Sequence, residues 1–581
     1  MEKIVSYTVL SLLLIVMVQP ITWSLQTSYS QQWPPWTGEE PFPWLQYLKQ
    51  LAQERGEPLS GVTLTIITRH EATIITKTKE VFLQSIVAKE LGIENIIPVY
   101  AGPEQWETYI SQAAERGAPI DVAWGGGPTL FNYIDSLGYI EPLDNNTHPE
   151  YNAILYEMTK IPERIAGAPT WKVGDDGFIH WIGAAISSFG FTVNHDKLNQ
   201  YSLPMPRKWI DLTKPEYAKA LPDTQLTGIA DPTKSTSNTR MYEIILQAYG
   251  WEDGWRVLTL MAANAKIYDS SSGVRDAVTR GDIAVGITID FYGYTAMHQN
   301  PACEYIIPEN ESIVNADPIA ILKDTRYPIH AAAFVAWVLS EYGGQQVWLD
   351  TDINRLPIND LVFNTDIGQQ RQDIKQAYQI ATNSSVILFN ETLASLTEKA
   401  MQFYFKATLV NAHDDLQAVW GEIAQAYLNG EISEAEFNYL VRKLTDPFPF
   451  QDPISGETVT FTLDYAIKIN PRLSEGSIYQ ALMSAWEDGA REKYLNVYDE
   501  FESILAGETT IPTSETSPIF PSTTPTGTTT PSGTTGPTET ATGTPKTSPT
   551  TTPAEGIDTG IVVLVVIILI AIIVAVFYLR R

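Results

Sequence analysis

The sequence predicts an α/β body whose parallel sheet carries helices on both faces. Two observations point there. From Gly61 onward, short β-rich runs alternate with segments of helical spacing. The chain is also 581 residues long, too long for one core, so two or more domains are expected. "VTLTIIT" (62–68) reads as a strand, and "KTKEVFLQSIVAKEL" (77–91) repeats apolar residues at helical spacing. "NIIPVYA" (95–101) is a strand, "EQWETYISQAAER" (104–116) a helix, "PIDVAWG" (119–125) a strand and "PTLFNYIDSLG" (128–138) a helix. In such sheets ligands sit at the carboxyl ends of strands, beside helix N-termini. That rule places His70, Trp124 and the glycines 125–127 near one rim.

A second α/β stretch follows: "AAISSFGFTVN" (184–194), "QLTGIAD" (225–231), a helix after "KSTSNT", "SSSGVRDAVTRGDIAVGITID" (270–290) and the apolar helix "HAAAFVAWVLS" (330–340). Residues 369–505 carry long helical patterns with few strand signals and read as a helical extension. Residues 29–60, rich in Trp, Pro and Gln, read as an irregular lead-in. No internal repeat is found.

Both ends carry membrane signals. Lys3 followed by an apolar run from Ile4 to Val18 reads as a secretory signal within residues 1–28. Residues 557–581 read as a transmembrane anchor. Their nineteen apolar residues, 561–579, give roughly 28 Å of helix, and two arginines follow. Positive charge stays inside, which puts the C-terminus in the cytoplasm and the body outside the cell. Between them, 506–556 is a Thr/Pro-rich stalk that cannot bury apolar surface, and its hydroxyls suggest O-glycosylation. N-x-S/T triplets begin at Asn145, Asn310, Asn383 and Asn390 and fit an exported glycoprotein. A net charge of -30 argues against a nucleic acid partner. The single cysteine, Cys303, excludes an internal disulfide.

The stretch 61–360 resembles the extracellular solute-binding proteins of ABC importers, in the group holding ferric-iron, thiamine and phosphonate binders. The motifs that carry the likeness are "DVAWGGGPTLFNYIDSLGYIEPL", "FGFTVNHDKL", "IADPTKSTSNTRMYEIILQAYGWEDGW" and "RGDIAVGITIDFYGY", in that order. The stalk and C-terminal helix resemble the anchors of archaeal binding proteins. The resemblance implies a type II periplasmic-binding-protein-like fold over 61–368. Lobe 1 would hold about 61–190 and 295–350, and lobe 2 about 191–294. Strand crossings are expected near 191–194 and 290–294, with closure about a hinge. It also implies a small-molecule ligand, a partner permease and ATPase, and no cofactor or catalysis. Residues 369–505 have no counterpart in it.

Iron-binding relatives use a His and a Glu from one lobe and adjacent tyrosines from the other. His70 stands where that His would be, but Gly126 replaces the Glu, and Phe291–Tyr292 replace the tyrosine pair, with Tyr294 as a substitute. Ferric iron prefers several hard anionic oxygens, so the pattern points away from bare iron and leaves a chelate open. "DPTKSTSNT" places Ser235, Thr236, Ser237 and Thr239 at a helix start, where unpaired N–H groups and the helix dipole favour an anion. "WGGGPT" (Gly126, Gly127, Thr129) and "YDSSSG" (Ser271) are similar starts. Each is also an ordinary N-cap, since Ser, Thr and Asp lead there. Three converging on one cleft favour an anion: an organophosphate, phosphonate or carboxylate. Asp290 and Tyr292 complete the expected set, His70 and Trp124 included. Trp124, Trp171, Trp181 and Trp209 leave an oligosaccharide as an alternative through ring stacking. A surface hydrolase would need a motif such as G-x-S-x-G or H-E-x-x-H, and neither occurs. The seven histidines show no close pair at metal spacing.

Overall fold

The computed structural model describes residues 41–384, 386–509 and 511. The expected signal peptide, all but the first residues of the stalk, and the anchor lie outside the described residues. Among the described residues no helix is long and apolar enough to cross a membrane.

In chain order the main elements are α1 (Leu45–Arg55), β1 (Val62–Thr68), α2 (Ala72–Gln84), β2 (Ile93–Tyr100), α3 (Trp106–Glu115), β3 (Val122–Trp124) and α4 (Pro128–Ser136). Next come β4 (Ile179–Asn194), β5 (Thr227–Ala230), α5 (Thr236–Tyr249), α6 (Trp251–Asn264), β6 (Ala265–Tyr268), α7 (Ser271–Arg280) and β7 (Val285–Ile289). Then follow α8 (Asp290–Gln299), β8 (Cys303–Ile306), β9 (Val314–Ile321), α9 (Pro328–Leu339) and α10 (Gln372–Thr382). The chain ends in α11 (Glu391–Phe405), α12 (His413–Asn429), α13 (Glu434–Thr445) and α14 (Gly476–Leu505).

The strand order is β2-β1-β3-β9-β4-β7-β5-β6. β1 runs parallel to β2 and β3, and β5 runs parallel to β6 and β7. The sheet is mixed rather than wholly parallel, because β9 is antiparallel to β3 and β4, and β7 is antiparallel to β4. β4 joins the lobes. Its first part, Ile182 to Ser188, pairs with β9 in lobe 1, and its second, Phe189 to Val193, pairs with β7 in lobe 2. Every residue of β4 but His180 is buried, as expected of a strand covered on both faces.

Several expected boundaries move. The lobe switch falls between Ser188 and Phe189, earlier than 191–194. The second crossing is not at 290–294. β7 turns straight into α8 because the Asp290 carboxylate accepts from the amides of Ser188 (2.7 Å) and Phe291 (2.8 Å). β8 then pairs with the lobe 2 half of β4, so residues 295–306 stay in lobe 2 and the return lies at 307–313. The helix expected over 77–91 starts at Ala72 and stops at Gln84, where extended Ser85 caps a separate short turn. The lead-in is not irregular throughout. Leu45, Leu48 and Ala52 give α1 a buried stripe against α9, and the Trp44 indole donates to buried Glu157 at 2.8 Å.

One core fills lobe 1, with α1, α9 and α10 included. A second core contains lobe 2 together with α11–α14. The extension is therefore not a separate module, as "FKATLVNAHDDLQAVWGEIAQAY" already hints through its helix-spaced apolar stripe. Tyr404 stacks on Phe461 at 3.8 Å between centroids, and the Trp420 indole donates to Asn264 of lobe 2 at 2.7 Å. Trp420→Ala removes that burial and leaves the Asn264 oxygen without its donor, at a cost of about 3–5 kcal/mol. In urea melts, lobe 2 and the extension are expected to unfold together, with a lower midpoint in this variant; a separate early transition for α11–α14 would show that the core is not shared.

Candidate functional site

The lobes and the extension enclose a cleft of about 1160 Å³. Arg355 lines it and is buried. The guanidinium pairs with Asp317, donates to Ser187 Oγ at 2.9 Å and approaches His70 Nδ1 at 3.3 Å. Asp317 Oδ1 accepts from the amides of Gly126 and Gly127, each at 3.1 Å. Burial works against the Asp317 charge, yet Arg355, His70 and the two amides hold its carboxyl below the ordinary range. The glycine amides expected to cradle an anion are therefore engaged by a carboxylate of the protein itself.

His70 lies at the end of β1, its amide donating to Thr68 Oγ1. Its ring packs edge-on to Trp124 at 4.7 Å. A side chain at Gly125, which has φ +75°, would meet that ring at 2.5 Å, so the "GG" there makes room for the histidine. Arginine only donates, so Nδ1 accepts and Nε2 carries the proton; Nε2 is buried without a partner. Burial, opposed in part by Asp317, lowers the His70 pKa to about 3, and the ring is neutral at physiological pH.

In lobe 2, α5 and α7 meet at their N-termini. Ser235 caps α5, accepting from the Asn238 amide at 3.2 Å, and Ser270 caps α7, accepting from the Gly273 amide at 3.1 Å. Ser235, Ser237 and Ser271 bring their hydroxyls into one cluster, with Asn238 Nδ2 3.2 Å from both Ser235 Oγ and Ser271 Oγ. The first-turn amides of both helices lack intrahelical acceptors, and both dipoles point their positive ends here.

A third node ties the bodies together. Glu391 Oε2 of the extension accepts from Thr129 Oγ1 of lobe 1 at 3.0 Å and from Arg240 Nη2 of lobe 2 at 3.1 Å. Arg240 also donates to Thr129 and lies 3.3 Å from Glu243. On the opposite flank the Tyr292 hydroxyl of lobe 2 donates to Glu71 of lobe 1, and Arg275 covers the Tyr292 ring at 4.8 Å.

Of the expected residues, His70, Gly126, Gly127, Thr129, Ser235, Thr236, Ser237, Ser271 and Tyr292 line the cleft. Trp124 and Asp290 do not. Trp124 sits in the lobe 1 core against Phe334 and Trp348, because β3 turns its side chain inward. Asp290 is spent on the Ser188 and Phe291 amides, and burial pushes its pKa up to about 7. Trp171, Trp181 and Trp209 also fall outside the lining, so no ring of that set can stack on a sugar there. Burial raises the Tyr292 hydroxyl well above its usual range, which keeps it a phenol rather than a phenolate, and Tyr294 does not line the cleft. Arg355, Asp317, Arg240 and Glu391 went unforeseen. Arg240 sits inside a motif that carries the family likeness and the other three outside any; only the tertiary fold brings Arg355, Asp317 and Arg240 to the cleft and Glu391 against Arg240. A smaller cavity of about 230 Å³ lies apart, between α6 and the extension, lined by Trp251, Trp255, Phe461 and Lys493.

The family model described as bacterial extracellular solute-binding protein matches residues 87–376. This region is similar to that family, and the match covers just under half of the chain. The match leaves out β1, His70 and all of α11–α14. Among curated proteins, the phosphoglycerate transport regulatory protein PgtC of Salmonella typhimurium is 30% identical over 192 residues, 33% of this chain and 46% of that one. An uncharacterized protein of Haemophilus influenzae is 24% identical over 251 residues, 42% of this chain and 66% of that one. The chain thus spans about half the length of its PgtC relative. Among solved structures, iron-bound HitA of Pseudomonas aeruginosa is 20% identical with a TM-score of 0.41, covering 52% of this chain and 87% of that one. AfuA of Actinobacillus pleuropneumoniae, with exogenous fructose-6-phosphate bound, is 18% identical with a TM-score of 0.42, covering 55% and 99%.

The buried His70 makes a pH prediction. Between about pH 3 and 6.5 the unfolded imidazole binds a proton that the folded one does not, so the stability due to this group falls as pH drops through that window. In His70→Gln the pH dependence of unfolding free energy below 6.5 should be shallower by about 1.4 kcal/mol per pH unit. Parallel wild-type and variant slopes would mean that His70 is protonated in place.

Proposed function

We propose that this protein is the solute-binding component of an ABC importer, capturing a small anionic solute and delivering it to a permease and ATPase. The solute is an organophosphate, a phosphonate or a carboxylate. The observation that carries this reading is the meeting of the α5 and α7 N-termini at the Ser235–Ser237–Ser271 cluster, inside a cleft between two lobes. Two partial positive ends, first-turn amides and hydroxyls suit an anion that is held without a neutralising cation. Arg355 adds a guanidinium on the far wall, although Asp317 offsets most of its charge. The phosphoglycerate protein that this chain resembles fits the same chemistry. In this reading residues 1–28 direct export, 506–556 form a stalk and 557–581 anchor the body on the outer face of the cell membrane.

Iron binding is the weaker reading. It would need Tyr292 as a phenolate, against its burial and its bond to Glu71. An oligosaccharide reading has lost its stacking rings.

Native mass spectrometry of the full chain with separate pools of phosphate esters, phosphonates, carboxylates, ferric chelates and oligosaccharides should yield a one-to-one adduct from one of the anion pools. Ser235→Ala with Ser237→Ala should weaken it by roughly tenfold or more, from the loss of two hydroxyl contacts to a charged group. A sugar or iron adduct indifferent to those changes would reduce the serines to helix caps.

A further inference from the structure

The cleft has a third wall. Ser395, Glu398, Lys399 and Gln402 of α11, with Asn470 and Ser474 beyond it, line the cleft alongside the two lobes. α11 lies antiparallel to α5. At one end Lys406 pairs with Asp231, then Gln402 Nε2 donates to Thr239 Oγ1 at 3.1 Å, and at the far end the Asn390 carbonyl accepts from Gln247 at 3.1 Å. Gln402 therefore stands beside the serine cluster, and Glu398 stands one turn away from it.

The polar groups along this wall are out of balance. Gln402 spends its amide hydrogen on Thr239, while its carbonyl oxygen receives no donor among the described residues. Glu398 makes no hydrogen bond or ion pair among them. Glu243 is 3% exposed, and its Oε1 is buried without a partner. Of the nearby cations, Arg240 reaches Glu391, Thr129 and, at 3.3 Å, Glu243, although its Nη1 makes no hydrogen bond among the described residues, and Lys399 donates to Ser474 at 3.0 Å. Burial, with repulsion from Glu398 and Glu391 and against the pull of Arg240, pushes the Glu243 carboxyl up to about 8. A buried acceptor left unmade is costly, and a donor supplied by the ligand removes that cost. The serine end of the cleft is thus donor-rich, and the wall beside it offers acceptors: Gln402 Oε1, the Glu398 carboxyl and Glu243 Oε1.

We propose that α11 reads the solute: Glu398 and Gln402, with Glu243 of α5, receive a hydrogen-bond-donating group, a hydroxyl or an ammonium, carried by the same solute whose anionic group sits at the serine cluster. This rests on the anion reading above and narrows its class to anions bearing such a group. The family match ends at residue 376, so α11 lies outside the matched stretch.

Titration calorimetry of the full chain with ethyl phosphate, glycerol 3-phosphate and phosphoethanolamine tests it. Ethyl phosphate carries the anion alone; the other two add hydroxyls or an ammonium. At least one of the latter should bind about tenfold or more tighter than ethyl phosphate. Glu398→Gln combined with Gln402→Ala should erase that gain while leaving ethyl phosphate unchanged. Greater sensitivity of phosphoethanolamine to Glu398→Gln alone would mark the ammonium, and greater sensitivity of glycerol 3-phosphate to Gln402→Ala the hydroxyl. Equal binding of all three esters, or equal weakening of all three by the double variant, would overturn the proposal while the anion site stands. No binding by any ester, with the Ser235→Ala/Ser237→Ala pair without effect in the native-mass test, would overturn both.

Discussion

One strand holds this molecule together. β4 pairs with β9 through its first part and with β7 and β8 through its second, so both lobes share a single backbone. Its burial on both faces excludes charge along it and makes the lobe switch at Ser188–Phe189 an abrupt one. Asp290 sits at this switch, accepting from the Ser188 amide, and so fixes where lobe 2 begins relative to lobe 1. The cleft lies between the two lobes, where residues that follow β1 and residues of β4 and β9 line the same space as the helix starts of lobe 2.

Within the cleft, polarity is distributed by geometry more than by net charge. Asp317 absorbs both the Arg355 charge and the glycine amides, so lobe 1 presents a nearly neutralised wall. Lobe 2 presents two helix starts whose hydroxyls already share hydrogen bonds. The extension then adds carboxylates around Arg240, whose guanidinium touches residues of both lobes and α11. Closure here is a three-body matter: Glu391 meets Thr129 and Arg240 together, while Glu71 meets Tyr292 across the other flank.

Alternation of β-rich and helix-spaced runs made the α/β class and most strands legible, because side-chain burial repeats at short range. The serine-rich helix starts were legible for the same reason: capping chemistry is local, and Ser235 does cap α5. Their convergence was inferred, and for Ser235, Ser237 and Ser271 the hydroxyls do meet. The glycine run misled. Local reasoning gave its amides to a ligand, but a residue 190 positions away takes them. Trp124 misled through register, since a strand's two faces cannot be assigned to cleft or core without the opposing layer. The second crossing was misplaced because β8 returns to β4 after α8, a pairing with no local signal.

The sequence by itself determined the periodic elements, the caps and the family resemblance, all of which depend on neighbours a few residues apart. Tertiary structure alone decided which donors remain free, because that depends on partners brought from far along the chain. It spent Gly126 and Gly127 on Asp317, buried Trp124, and laid α11 along α5 so that Glu398 and Gln402 face the cleft. An extension with helical spacing says only that helices form. Which wall they complete is set by the apolar core they share with lobe 2.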